Sequence, residues 1–185
     1  MKEEIKKLTE QLKNSGIDVS RYGKGKSKKI EDLFKEIKDN ETVLINEDGK
    51  LLRKSQIVNV EILYKDKEGN KFVLREQKQI FNDGRERKRD HLLGSLSGKM
   101  KVNENPKESI IREIQEELGI SGQIDVLDNG YDEETIKSQS YPGLLTNYVT
   151  YRFVANLLDK DFKSDGYIEK TDSLTTYFVW EKIKS

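Results

Sequence analysis

Residues 98–120 read GKMKVNENPKESIIREIQEELGI, and the second half of this stretch is a helix with both ends marked. Asn105 suits the N-cap, Pro106 the first helical position and Glu108 the third. Gly119 stands where a left-handed C-terminal residue is wanted. The spacing predicts a helix over about 106–118. With Glu113 at zero and about 100° per residue, Glu116 falls near ~300° and Glu117 near ~40°. Ile110, Ile111, Ile114 and Leu118 fall between about 60° and 160°. The helix therefore has an apolar stripe for a core and a carboxylate stripe beside it.

Stability alone would not choose that carboxylate stripe. Like charges at helical neighbours cost roughly 0.2–0.5 kcal/mol per pair, and Glu113–Glu116 and Glu113–Glu117 are two such pairs. They also stand toward the C-terminal end, where the macrodipole disfavours anions. A hard divalent ion, magnesium or manganese, would favour the arrangement, because it takes carboxylate oxygens and keeps several waters. The competing reading is a solvated face in a Glu-rich chain.

Outward from this helix, the 185-residue chain is long enough for one globular domain with a small extension. Charged residues make up 37% and hydrophobic residues 34%, so a heavily charged surface surrounds a core of Ile, Leu, Val, Phe and Tyr. The net charge is zero, which removes any global electrostatic argument for nucleic acid or an acidic membrane as partner. There is no cysteine, hence no disulfide, thiolate metal site or cysteine nucleophile. The start, MKEEIKKLTEQL, is charged throughout and unlike a signal peptide, and no apolar run approaches membrane-spanning length. The expectation is a cytoplasmic protein without membrane contact.

Before the motif, residues 2–14 read as an amphipathic helix with Ile5, Leu8 and Leu12 at helical spacing. NSGIDVSRYGKGKSKK reads as a basic loop; its GKGKSKK lacks the spacing of a phosphate-binding loop. KIEDLFKEIKD reads as a second helix with Ile30, Leu33, Phe34 and Ile37 on one face. TVLINEDGKLLR reads as two short strands around an EDGK turn. These make residues 1–54 an N-terminal helical extension and 55–185 the main domain. In the main domain, IVNVEILY and KFVLREQKQ flank a KDKEGN hairpin turn, and a strand near 91–97 leads into the motif. GQIDVLDNG, LLTNYVTYRFVANLL and LTTYFVWEKI supply further strands, DFKSDGYIEKTD a short helix or a loop. The fold class is α+β, a mixed sheet with one strong central helix.

The full 98–120 stretch resembles the Nudix hydrolase signature: glycine, five residues, glutamate, seven residues, then Arg-Glu-aliphatic-any-Glu-Glu-any-Gly-aliphatic. Gly98, Glu104, Arg112, Glu113, Ile114, Glu116, Glu117, Gly119 and Ile120 fill every specified position. At average residue usage, such a match arises by chance on the order of one time in a million or fewer. The resemblance implies a mixed sheet sandwiched between helices, with the motif as loop–helix–loop. It implies water attack on phosphorus in a nucleoside diphosphate linked to another moiety, with Mg²⁺ or Mn²⁺ as cofactor. It makes Glu113, Glu116 and Glu117 metal ligands, joined by the backbone carbonyl of Ser97. Arg112 would hold Glu104 or Glu113 by a salt bridge, and Gly98 and Gly119 would be structural. The base that some members take from a later loop would come from Asp132, Glu133, Glu134 or Glu169, with Glu133, in the loop-like DEET, preferred. One departure is visible: SLSGK stands where many members carry Pro-Gly-Gly.

Other features are weaker. RERKRDH, residues 85–91, is a basic run in which Arg89 could meet phosphates or an RNA end, though a solvated loop is the more ordinary reading. His91, the one histidine, could donate a proton or bind a phosphate. Tyr141, in QSYPGLL, could stack on a base or simply pack in a turn. The substrate expected is a small nucleoside diphosphate derivative, with a capped RNA end less favoured. Isopentenyl diphosphate isomerases share the fold but commonly use a cysteine, which this chain lacks. The reading from another class is a noncatalytic nucleotide sensor on a Nudix fold, its extension serving partner binding or homodimer formation.

Overall fold

Asp48 and Gly49 reverse the chain at φ +50° and +76°, the two positive values that a tight two-residue hairpin turn requires. They join β1 (Val43–Glu47) to β2 (Lys50–Lys65), paired antiparallel from Val43↔Lys54 to Glu47↔Lys50. In the computed structural model, residues 1–88, 94–122 and 124–184 are described. Ahead of the hairpin lie α1 (Lys2–Asn14), a short 3₁₀ turn (Val19–Arg21) and α2 (Ile30–Lys38). After it come β3 (Lys71–Phe81), β4 (Glu86–Arg87), β5 (Leu96–Lys99) and α3 (Pro106–Leu118). β6 (Asp125–Lys137), β7 (Leu145–Asn156), β8 (Tyr167–Lys170) and β9 (Leu174–Lys182) complete the chain. The class is α+β: among the described residues there are three α-helices and nine strands in one sheet. Its order is β6-β7-β2-β3-β9-β8, with β1 and β5 beside β2 and β4 beside β3.

The chain divides into two compact units. The first comprises residues 1–57, 99–104 and 131–150. Its core is Leu8 and Leu12 of α1, Leu33 of α2, Ile17, Leu51, Tyr141 and Leu144. The second comprises 58–98, 105–130 and 151–185. There β3 pairs with β9 from Phe72↔Lys182 to Phe81↔Leu174, and α3 buries Ile110, Ile114 and Leu118. Tyr64 stacks on Phe162 at 3.8 Å beside Trp180.

Several expectations change. The N-terminal segment lies in a compact unit, residues 1–57, that also takes in 99–104 and 131–150. The bond from Val102 N–H to the Asn40 carbonyl, 2.6 Å, and the burial of Tyr141 and Leu144 in the helical core show why. The second strand of the first hairpin is not short: β2 runs sixteen residues without a break. DEET is not a loop but part of β6. DFKSDGYIEKTD contains strand β8 rather than a helix.

Candidate active site

α3 begins as its sequence requires. The Asn105 side-chain oxygen accepts from the N–H groups of Lys107 (2.9 Å) and Glu108 (3.3 Å), with Pro106 at the first turn. Gly119 ends it in the left-handed conformation, φ +66°. Between these caps the buried stripe turns Glu113 inward, leaving its side chain 12% exposed, while Glu116 stays 60% exposed.

Two contacts define the inward carboxylate. Arg112 Nη1 lies 2.7 Å from Glu113 Oε1 and 3.3 Å from Glu116 Oε2, and Arg112 Nη2 donates to the buried Ser109 Oγ at 3.2 Å. Glu113 is one of the two glutamates expected to meet this arginine. The second contact is steric. A β-carbon placed on Gly98 would overlap Cδ, Cγ and Oε2 of Glu113. The glycine that opens the motif is thus the seat of the glutamate fifteen residues later.

Ser97 and Gly98 are half-buried in β5, and Glu117 is half-buried on α3. Ser97, Glu113, Glu116 and Glu117 all belong to the second unit. As a donor set, three carboxylates and a backbone carbonyl are hard oxygens, suited to Mg²⁺ or Mn²⁺. Among the described residues no three acidic or imidazole groups already stand gathered as a metal cage. Instead, Glu113 and Glu116 converge on one positive charge, the Arg112 guanidinium. Two carboxylates directed at one cation, one of them cradled by a glycine, fit a divalent ion in donor chemistry.

The other expected residues belong to other elements. Glu104 is in the first unit, where its Oε2 accepts the Lys101 N–H at 2.8 Å and tightens the motif loop. Glu133 is exposed on β6, and its Oε1 accepts from Asn147 Nδ2 at 2.9 Å. Asp132 and Glu134 share that strand, and Glu169 lies on β8. Tyr141 is not placed to stack on a substrate: it is fully buried, packed against Tyr22 with ring centroids 5.7 Å apart. Burial and the nearby Glu36 carboxylate push its hydroxyl pKa above the ordinary tyrosine value. Arg89 and His91 lie outside the described residues.

Sequence reasoning missed a buried charge cluster in the first unit. Glu36 of α2 is 6% exposed. Lys28 Nζ and Lys99 Nζ reach its Oε1 at 2.8 and 2.9 Å, and Arg53 Nη2 reaches its Oε2 at 2.6 Å. Lys99 also reaches Glu41 Oε2 at 3.0 Å. Burial alone would raise the Glu36 pKa, but the hydrogen bonds from Lys28 and Lys99 and the charge of Arg53 outweigh it and hold the group at about 2. The available signal was positional: Glu36 follows Leu33 by three residues, on the buried face of α2.

No protein-family model and no curated protein matches the chain. Solved structures resemble it at low identity. An Ap4A hydrolase from C. elegans has a TM-score of 0.39 and 15% identity over 69% of this chain and 79% of that one. A MutT/nudix family protein from Enterococcus faecalis has a TM-score of 0.48 and 15% identity over 84% of this chain. The match spans 51% of that longer protein. The NUDIX domain of Shewanella oneidensis NrtR, complexed with ADP ribose, has a TM-score of 0.41 and 11% identity over 69% of this chain and 71% of that one. Two of these three carry the Nudix name. The Nudix resemblance of residues 98–120 is independent of them, because it rests on nine specified positions in this chain.

Proposed function

We propose that the chain is a Nudix-type diphosphohydrolase that uses Mg²⁺ or Mn²⁺ to cleave the diphosphate linkage of a small nucleoside diphosphate derivative. The observation that carries this reading is the seat of Glu113 against Gly98. It gives a physical reason for the motif's first glycine and joins two ends of the signature in one place. Glu113, Glu116, Glu117 and the carbonyl of Ser97 are the groups that would hold the ion. Bound there, the ion would neutralise phosphate oxygens and lower the pKa of an attacking water.

The chain's own residues supply orientation. Arg112 fixes Glu113 and shields it from Glu116, so that two like charges share one helix face. Ser109, fully buried, fixes Arg112 in turn. Without a cation, the three carboxylates would repel the substrate's diphosphate. The chemistry therefore demands the positive charge that these donors are suited to hold.

A product-resolved hydrolysis screen tests the reading. It runs with Mg²⁺ and Mn²⁺ separately, on nucleotide sugars, dinucleoside polyphosphates, nucleoside triphosphates and capped RNA, with Glu117→Gln beside the wild type. Metal-dependent cleavage lost in the variant supports it. No cleavage across the panel, with a nucleotide still bound, would replace it with the sensor reading.

A further inference from the structure

Among the described residues, strand β1 is paired on one side only, with β2, from Val43↔Lys54 to Glu47↔Lys50. Glu47 and Lys50 flank a two-residue turn, so residues 43, 45 and 47 exchange hydrogen bonds with β2. The N–H and C=O groups of Leu44 and Asn46 therefore point the other way, and no described residue supplies them with a partner. The strand begins Val-Leu-Ile-Asn, without the lysine, proline or bulge that commonly blunts an open edge.

A groove of about 430 Å³ in the first unit opens beside this edge. Leu8 of α1, Phe34 and Ile37 of α2, and Val43 and Leu44 of β1 give it apolar walls. Glu4, Lys7 and Gln11 of α1 form its rim. Phe34, Ile37 and Leu44 pack against the helical core yet stay half-buried. Lys7 and Gln11 also line the adjoining stretch, which is polar: Glu10, Asn14, Ser15 and Asn46 line it with Leu51. A trough with a helix on one side and an open strand edge on the other thus grades from apolar at Leu44 to polar at Asn46. Its rim charges differ in state. Glu4 accepts from the Met1 amino group at 2.6 Å. Lys7 and Glu10 are exposed, and neither has an ion-pair partner among the described residues.

The complement of such a trough is a chain in extended conformation, held by main-chain hydrogen bonds and selected by alternate side chains. Antiparallel addition is the more stable pairing. The residue opposite Leu44 then points its side chain toward the helices, as Leu44 does, and meets apolar walls. Two residues earlier, opposite Asn46, an acidic side chain meets Lys7; two before that, a basic one meets Glu10. We infer that β1 and α1 form a docking site for an extended segment of a partner protein, added antiparallel as a further strand, with an acidic residue two positions before an aliphatic one. None of the proposed metal ligands takes part.

The probe is the synthetic peptide Lys-Thr-Glu-Thr-Val-Thr-Val, amidated, labelled with a fluorophore at its N-terminus, and titrated with the full chain. Fluorescence anisotropy should show saturable binding. Replacing both valines by serine should weaken it at least about tenfold. N-methylation at the glutamate and the first valine, whose N–H groups face β1, should weaken it about tenfold. N-methylation at the threonine between them, whose N–H faces water, should change it little. Exchanging lysine and glutamate within the peptide should weaken binding several-fold. The protein carrying Lys7→Glu and Glu10→Lys should invert that preference at a nearly unchanged melting temperature, because both side chains are exposed. No binding, equal affinity for the serine peptide, indifference to the site of N-methylation, or a preference that the charge-exchanged protein does not invert would overturn the inference. A concentration-dependent dimer in sedimentation that excludes the peptide would give the trough to a second copy instead and overturn it too.

Discussion

Gly98 and Glu113 occupy each other's space so closely that the first has room for no side chain. The carboxyl group of the second fills the volume of the missing β-carbon. A loop residue and a helix residue are thereby matched by shape, and the match can be broken by a single carbon.

Gly98→Ala should displace the Glu113 carboxylate while the helix caps at Asn105 and Gly119 stay as they are. We expect turnover to fall by about 10–100-fold, the scale for residues that orient a ligand rather than serve as one. Thermal melting separates this from unfolding, and Mn²⁺ affinity should drop with activity. Full activity in the alanine variant would remove the seat from the account.

Glu117→Gln should lower kcat by more than about a hundredfold with an unchanged melting temperature, since an amide keeps the shape and removes the charge. Chelator should abolish wild-type turnover. Normal turnover in the variant, or turnover that persists in chelator, would contradict the ligand assignment.

Lys28 and Lys99 bind the same oxygen of Glu36, which makes them controls for each other. Each lysine changed to methionine should lower stability modestly, as both are partly exposed. Glu36→Gln should be far more damaging, about 3–5 kcal/mol, because Arg53 is then left buried without its counter-charge. Urea unfolding of the three variants would order them. Equal, small losses for all three would mean the cluster contributes little.

The same cluster gives a pH dependence. The Glu36 pKa is depressed in the folded state, to about 2, so its contribution is complete above the ordinary carboxylate pKa. It is lost as pH falls from about 4.5 toward 2. Acid unfolding of the wild type in this window should be steeper than that of Glu36→Gln, which has no such proton to take up. Coincident slopes would argue against the ion cluster as the titrating element.

Tyr141→Phe should leave activity unchanged and stability within about 1 kcal/mol, because its buried hydroxyl has only the nearby Glu36 carboxylate as a neighbour and no partner in good hydrogen-bond geometry. Tyr141→Ala should instead cost about 3–5 kcal/mol through the cavity it leaves. A raised KM in Tyr141→Phe would return this residue to substrate binding.

Local signals were legible in the sequence. α3 was readable because its caps, its proline and its apolar stripe agree, and the Asp48-Gly49 turn because few residue pairs take two positive φ values. Only the second half of β6 was hidden by composition: DEET has poor strand preference, and an edge position, where residues 127–137 stay exposed, tolerates it. The Glu36 cluster was illegible for another reason. Its partners, at positions 28, 53 and 99, are brought together by tertiary folding and share no local pattern. Glu133 and Asn147, fourteen residues apart, met through the same long-range folding.

The unbroken course of β2 from Lys50 to Lys65 bears on how such a chain can change over generations. A gene rearrangement that cut at residue 54 would begin the remainder inside a strand, delete Glu36 and Asn40, and strip Lys99 and Val102 of their anchors. The helices at the start are therefore no interchangeable cassette. They are inherited together with the motif loop or lost with it.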